Sequence, residues 1–314
     1  MKALILTDGK AGHENQSRAF ARALGCDFEV ARVAFRSKAA KAFSYLFDRL
    51  GVRTTLLWRF VPEVFDANQP LPPPPAAFRP DVVIGTGSGT FYAAKTLARR
   101  CQSRCGVVLY PRGYDLKSFD CILAPAFDRP AKAENVIEIP ANLVANDESF
   151  YEKGLAAFRE RTAVVPEIAV IVGGPNKCST MTPDWMRTQL DAIFAQPGRK
   201  AVTTSRRTPP EVEKVIDSYQ WDYKLLYSQD HFNPIPAFVK LARRLYVTAE
   251  STGMLSEACT FGSAEVIALD NLRPGPHKFR RFVDDLRSGG YLDGNRKVDL
   301  DGPFAAARRL LGIA

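Results

Sequence analysis

The stretch Leu245–Asp270, LYVTAESTGMLSEACTFGSAEVIALD, leaves this chain few folds to choose from. It opens on the apolar run Leu245–Val247, whose aromatic and β-branched residues suit a buried strand. A small polar turn, Thr248–Gly253, follows, and then Met254, Leu255, Ala258 and Phe261 mark one face of a helix. A second apolar run, Ala264–Leu269, closes the unit. Strand–helix–strand units of this kind build open parallel sheets, which take ligands beyond the carboxyl ends of their strands. The turn offers Ser251, Thr252 and the backbone N–H groups of a helix start, a setting that favours an anion. One turn further on, Ser256 and Glu257 stay near the same edge, where a carboxylate can accept two hydrogen bonds from a ribose diol. Ordinary helix capping with a solvated Glu is the plainer alternative.

The same alternation runs through the rest of the chain. Ala3–Thr7 reads as a first strand, ended by the turn Asp8–Gln16 and a helix carrying Ala19, Phe20, Ala23 and Leu24. Gly9 and Gly12 let the backbone approach a ligand, though a G-x-x-G lacks the third glycine of a dinucleotide fingerprint. Asp8, Lys10, His13, Glu14 and Asn15 crowd this one turn with more ionisable chemistry than a structural turn needs. Phe28–Phe35 is a second strand. Asp81–Ile84 is another, opening through Gly85–Thr90 into a helix to Ala98, so a second glycine-rich turn should share a sheet edge with the first. Gly106–Tyr110, Cys121–Leu123 and Val136–Ile139 are further strands, with Arg112 in a turn between them free to face a ligand. The proline-rich stretch Val61–Pro80 reads as a surface loop within this half.

Past residue 146 a helix over Asp147–Arg161 leads into a new set of strands. Ile168–Val172 ends in Gly173-Gly174-Pro175-Asn176-Lys177, and glycines beside a lysine at a strand's carboxyl end suit phosphate contact. Ala201–Thr204 ends in Ser205-Arg206-Arg207-Thr208, which offers hydroxyls and guanidinium groups to a phosphate, and a proline-started helix follows to Asp217. Lys224–Tyr227 is a strand, and His231 and Asn233 lie in the loop that precedes a helix over Ala237–Ala242. A basic helix spans His277–Leu286. The organisation is therefore α/β with two Rossmann-like domains, 1–146 and 147–314, facing each other across a cleft. The closing helix Phe304–Leu311 is able to cross back to the first domain.

Composition narrows the class of partner. A chain of 314 residues, 46% hydrophobic and 25% charged, can bury two cores. Its net charge of +9 points to anionic partners: nucleotides, phospholipids or nucleic acid. Nucleic acid ranks last, because no zinc-finger spacing or recognition helix is present. The six cysteines form no CxxC pair and sit in apolar patterns, so they read as free thiols of a reducing compartment. Three scattered histidines argue against a His/Cys zinc site, and no metal is expected. The apolar run at the N-terminus is too short for a signal peptide, and nothing reaches the length of a transmembrane helix. The chain is expected in the cytoplasm, or on the inner face of a membrane it does not cross. The segment 36–60 carries Arg36, Lys38, Lys41, Arg49, Arg53 and Arg59 against Asp48. Phe35, Ala39, Phe43, Leu46, Phe47 and Leu50 recur along it at helical spacing. Such a helix can lie on anionic lipid; the commoner arrangement buries the apolar face and solvates the basic one.

The motifs DGKAGHENQ (Asp8–Gln16), GGPNK (Gly173–Lys177), TTSRRTP (Thr203–Pro209), VTAESTGMLSEA (Val247–Ala258) and KFRRF (Lys278–Phe282) together resemble the Elongated Mitochondria family. They occur in family order across nearly the whole chain. That family includes a plant mitochondrial-fission factor and bacterial members often labelled nucleoside-diphosphate-sugar epimerases. The two-domain plan also resembles GT-B glycosyltransferases, and the SEA segment is similar to the nucleotide-sugar site of the enzymes that make lipid II. By that resemblance Glu257 holds the ribose, and Gly12-His13 matches the Gly-His that ends their first glycine-rich loop. Where the family commonly has VTADS, this chain has Val247-Thr248-Ala249-Glu250-Ser251, an acid one methylene longer.

These resemblances imply a glycosyltransferase whose donor substrate is a nucleoside-diphosphate sugar, with no tightly bound cofactor. Glu257 would hold the ribose. Gly12, Gly173, Gly174, Lys177, Ser205, Arg206, Ser251, Thr252 and Ser256 would contact the nucleotide. His13 or Asp8 would take the hydroxyl proton of an acceptor that the sequence leaves unknown, net charge and the basic helix pointing to a lipid-linked or envelope one. A non-catalytic membrane-associated adaptor that keeps the fold is the alternative. A nucleoside-diphosphate-sugar epimerase is the second, and it fits poorly, since neither a dinucleotide fingerprint nor a Tyr-x-x-x-Lys pair is present.

Overall fold

The structure, a computed structural model, describes residues 1–61 and 79–313. The Val61–Pro80 loop read from the sequence falls almost wholly outside the described residues. The chain divides into two compact units, Met1–Ile139 with Leu300–Ala314 and Pro140–Asp299.

In chain order unit 1 runs β1 (Lys2–Thr7), α1 (Ala11–Ala23), β2 (Asp27–Phe35), α2 (Lys38–Arg49), β3 (Trp58–Phe60), β4 (Val82–Thr86), α3 (Phe91–Cys101), β5 (Arg104–Val108), β6 (Cys121–Pro125) and β7 (Val136–Ile139). Its seven strands lie in the order β3-β2-β1-β4-β5-β6-β7, parallel except for the antiparallel β2–β3 edge. Strands β4 and β6 are buried at every position, which is why they read as unbroken apolar runs rather than alternating ones. The strand order reverses direction between β1 and β4. A switch of this kind leaves a crevice at the carboxyl ends of the two strands.

Unit 2 contains α4 (Glu148–Arg161), β8 (Ile168–Ile171), α5 (Pro183–Phe194), β9 (Lys200–Thr203), α6 (Pro210–Asp217), β10 (Tyr223–Leu225), α7 (Ile235–Leu241), β11 (Arg244–Thr248), α8 (Thr252–Thr260), β12 (Glu265–Leu269) and α9 (Lys278–Ser288). Its five parallel strands take the order β10-β9-β8-β11-β12, with the reversal between β8 and β11. The last helix, α10 (Asp301–Leu311), belongs to unit 1 and packs on β5, β6 and β7.

One helix has no counterpart in the sequence reading. At the start of α5, Thr182 accepts a hydrogen bond from Trp185 N–H, Pro183 follows it, and Met186, Leu190 and Ile193 are buried at helical spacing. That start signal was present in the sequence.

The segment 36–60 departs further from expectation. Its helix ends at Arg49, the chain turns through Gly51 at φ +69°, and Trp58–Phe60 becomes the edge strand β3. The buried face of α2 is Ala40, Ser44 and Asp48. Asp48 accepts from Lys95 Nζ at 2.8 and 3.0 Å and from the Asp115 N–H at 2.6 Å, and it pairs with Arg53 at 3.2 Å. Ser44 Oγ meets the Tyr114 hydroxyl at 2.9 Å. Burial pulls the Lys95 ammonium below its ordinary pKa, and the hydrogen bond to Asp48 offsets part of that. So α2 is seated on unit 1 by these polar contacts together with Tyr45 and Phe47, which pack against the core, while Ala39, Phe43, Leu46 and Leu50 point away.

Removing one partner of a buried pair strands the other charge, at a cost of about 3–5 kcal/mol. Asp48→Ala should therefore lower the urea midpoint for hydrogen exchange of the β4 and β5 amides while leaving β8 and β11 unchanged. An unaltered midpoint in β4 and β5 would mean the pair does not seat α2.

Candidate functional site

In unit 2 three loops converge at the strand-order reversal. The Gly173 N–H donates to Thr248 Oγ1 at 2.8 Å, tying the end of β8 to the end of β11. Thr208 Oγ1 donates to the Gly173 carbonyl at 2.6 Å and accepts from Ser205 N–H at 2.9 Å, which ties in the loop after β9. Both glycines are required by space. A Cβ on Gly173 would run into Glu250 Oε1, and one on Gly174 into the Arg207 carbonyl. Glu250 sits beneath this junction, 2% exposed, accepting from Thr248 Oγ1 at 3.0 Å and Asn271 Nδ2 at 2.7 Å. Burial pushes its carboxyl up from the ordinary value, and hydrogen bonds from its own N–H, Asn271 and Thr248 offset only part of this.

Above the junction lie exposed cations. Lys177, Arg206 and Arg207 are exposed, and among the described residues none of them pairs with a carboxylate. Ser205 is half-buried on the same loop, and with Arg206 it lines a cavity of about 440 Å3 that runs on to Tyr227 and His231. Ser251 is the N-cap of α8 but its side chain makes no capping bond, and the first turn holds no acid. The N–H groups at the helix start thus keep their donor capacity beside Ser251 and Thr252.

Glu257 and Ser256 are used differently from the way their spacing suggested. Ser256 is fully buried; its hydroxyl donates to the Thr252 carbonyl at 2.7 Å and accepts from Asn142 N–H at 3.1 Å. It fastens α8 to the segment before α4 rather than facing a ligand. Glu257 Oε1 accepts from the Tyr151 hydroxyl at 2.8 Å and Asn146 Nδ2 at 3.5 Å, and the buried Tyr151 ring stacks on Phe261. Burial raises the Glu257 carboxyl, against the hydrogen bonds from Tyr151 and Asn146. Among the described residues nothing hydrogen-bonds Oε2, so one acceptor oxygen is held in a fixed direction and available.

The crevice of unit 1 holds the other group. Asp8, just past β1, has both carboxylate oxygens within 3.0–3.1 Å of His13 Nδ1, and Oδ2 also accepts from Lys10 Nζ at 2.7 Å. Burial alone would raise the Asp8 carboxyl, but the hydrogen bonds from His13 and Lys10 outweigh it and hold the group far below the usual carboxylate range. An ionised Asp8 accepting from Nδ1–H leaves the lone pair of His13 on Nε2. The loop after β4 closes against this pair: a Cβ on Gly87, at φ +81°, would lie 2.5 Å from His13 Cε1, and one on Gly89 2.8 Å from Asp8 Cβ. From α2, Lys41 Nζ donates to Ser88 Oγ at 2.9 Å on the same loop. Gly12 lies in the first turn of α1 with open space beside it. Among the described residues no group of His, Cys, Asp and Glu is arranged to hold a metal ion.

The fold is α/β in two Rossmann-like units, a GT-B-like fold. The sequence matches the family Mitochondrial fission ELM1 over residues 11–299, and the chain belongs to that family. It is 25% identical over 245 residues to the mitochondrial fission protein ELM1 of Arabidopsis thaliana, a match covering 68% of this chain and 56% of that protein. The chain thus spans about half the length of that relative. Among solved structures it is similar to the UDP-GlcNAc 2-epimerase of Neisseria meningitidis bound to UDP-GlcNAc: TM-score 0.51, 12% identity, 99% of this chain and 97% of that one. It is also similar to Arabidopsis thaliana UGT89C1 complexed with UDP, with TM-score 0.54, 10% identity, and coverage of 99% and 90%. At such identities the likeness concerns the fold.

The sequence offered the Thr208 hydroxyl to a phosphate, whereas it is spent on the Gly173 carbonyl, and sequence reading gave no role to Thr248 or Asn271, whose partners lie far along the chain. Asn271 Oδ1 is buried without a partner, and a half-turn of that amide would present it to a protonated Glu250. Because the folded state raises this carboxyl, its contribution to stability is complete below about pH 4.5, the ordinary value, and is lost as pH rises through the higher folded one. Glu250→Gln should flatten that loss in thermal unfolding of unit 2, whereas Glu250→Ala should cost about 1–3 kcal/mol by stranding Thr248 and Asn271. A Gln variant with the wild-type pH slope would clear Glu250 of the effect.

Proposed function

We propose that this protein is a glycosyltransferase that binds a nucleoside-diphosphate sugar on unit 2 and uses the Asp8–His13 pair of unit 1 to activate an acceptor hydroxyl. The observation that carries the reading is the junction at the reversal of the second sheet. There the cationic loops after β8 and β9 and the uncapped start of α8 are locked together by Thr208 and Thr248. Lys177, Arg206, Ser205 and the α8 N–H groups would neutralise the diphosphate, with Ser251 and Thr252 at the helix start. Glu257 Oε2 would accept from the ribose, oriented by the Tyr151 hydroxyl on Oε1. The adjoining cavity supplies volume on the scale of a small-molecule site.

In the transfer itself the acceptor oxygen bonds to the anomeric carbon, its proton passes to His13 Nε2, and the bond from that carbon to the diphosphate oxygen breaks. Asp8 keeps its negative charge and stabilises the imidazolium that forms, an orienting role rather than that of the base. Stabilising the leaving diphosphate with fixed donors is the larger contribution, about 3 kcal/mol for one well-placed donor. The adaptor reading takes its support from the name of the Arabidopsis relative and predicts no nucleotide affinity.

Titration calorimetry with the diphosphates of uridine, guanosine, cytidine and adenosine separates the two. At least one should bind. Glu257→Gln, which keeps a partner for Tyr151, should weaken it about ten- to a hundredfold, the worth of a hydrogen bond to a charged acceptor. Silence across all four would leave the adaptor ahead. His13→Ala should abolish transfer while nucleotide affinity survives, and full activity in that variant would remove the base assignment. An isomerised nucleotide sugar formed without acceptor would instead indicate an epimerase.

A further inference from the structure

Amphipathic helices of globular units turn their apolar stripe to the core. The helix α2 does so only in part: Tyr45 and Phe47 pack against the core of unit 1, and a second apolar row does not. Its buried positions are Ala40, Ser44 and Asp48, while Ala39, Phe43, Leu46 and Leu50, an i, i+4, i+7, i+11 series, face outward. Phe43 is 52% exposed, Leu46 49% and Leu50 66%, and Leu56 in the loop beyond is 77% exposed. The orientation is not slack in the structure. Lys95, Tyr114 and the Asp115 N–H hold the polar face inward by charge and hydrogen bonds, so the apolar stripe is presented rather than left over.

Along the segment 36–60 the exposed charges have one sign. Arg36, Lys38, Arg49 and Arg59 are exposed along it, and the helix's one acid, Asp48, is 2% exposed and already neutralised. From these observations we infer that α2 is a membrane-docking element. It lies flat on an anionic lipid surface, with Phe43, Leu46 and Leu50 entering the headgroup–acyl boundary and the flanking cations engaging lipid phosphates. An interfacial helix combines a bulky apolar stripe with Lys and Arg along its borders, and the pairing of the two is what selects anionic over neutral bilayers. Charge argues against a second copy of this chain as the occupant. A two-fold interface sets the same patch against itself, which would bring these cations into mutual repulsion. The inference concerns unit 1 alone and stands or falls apart from the nucleotide reading.

Co-sedimentation with phosphatidylcholine vesicles, with and without phosphatidylglycerol, tests it on the full chain. The wild type should pellet with the mixed vesicles, not with the neutral ones, and less so at high salt. The triple variant Phe43→Ser, Leu46→Ser, Leu50→Ser should lower the bound fraction about tenfold or more. The pair Lys38→Glu, Arg49→Glu should do likewise. All these side chains are exposed, and an unchanged urea midpoint identifies variants that remain folded. Persistent binding by the folded triple variant would overturn the inference, as would equal binding of the wild type to neutral vesicles. A sedimentation coefficient that falls in the triple variant without lipid would also overturn it, by showing the stripe to be an interface between copies. Failure of the wild type to bind at all would do the same, and would indicate that another stretch of this chain covers the stripe.

Discussion

Two threonine hydroxyls decide the geometry of the carboxyl edge of the second unit's sheet. Thr248 accepts from the Gly173 N–H and donates to Glu250, while Thr208 donates to the Gly173 carbonyl. A single glycine thereby has its donor and its acceptor clamped by the loops after β11 and β9. Neighbouring parallel strands stand only about 4.8 Å apart, so loops leaving three of them can be packed together only where side chains are small. Gly173 and Gly174 meet that demand. The buried Glu250 beneath them joins the loop after β11 to Asn271, just past β12. What is exposed above, Lys177, Arg206 and the start of α8, inherits a rigid base. Donors and cations fixed in advance need not reorganise around a charge, and that is what such a base supplies.

The first unit reaches the same end with different parts. Its reversal lies between β1 and β4, and the two glycine-rich turns that leave those strands press on each other through His13 and Asp8. Asp8 is committed to Nδ1 and to Lys10, which leaves Nε2 as the imidazole nitrogen it does not engage. The pattern of a carboxylate steering an imidazole is independent of the fold that carries it.

Much of this was legible in the sequence because parallel strands buried on both faces leave an unmistakable mark. The runs Leu245–Val247, Ile168–Val172 and Ala3–Thr7 each stand where the structure has a strand. Turn chemistry placed Gly173, Arg206 and Ser251 on one edge for the same reason. What stayed hidden was every outcome decided by a distant partner. Periodicity along 36–60 found a helix but not which face it buries, because that choice rests with Lys95, 47 residues beyond Asp48. Glu257 looked like a free acid at a helix edge, and its orienting partner, Tyr151, lies 106 residues earlier. Ser256 showed a hydroxyl of the right kind in the right place, yet that hydroxyl is consumed by backbone at Thr252 and Asn142.

The return of α10 to the first unit gives the chain an order of assembly. All of Pro140–Asp299 leaves the ribosome before Asp301–Leu311, so the second unit can close while the first still lacks the helix that covers β5, β6 and β7. Until then Gly106 and the Phe20 ring are without Leu311 beside them. The unit that holds His13 thus begins before the second unit and is finished after it, and a chain stalled before Asp301 would carry a closed second unit and an unsealed first one.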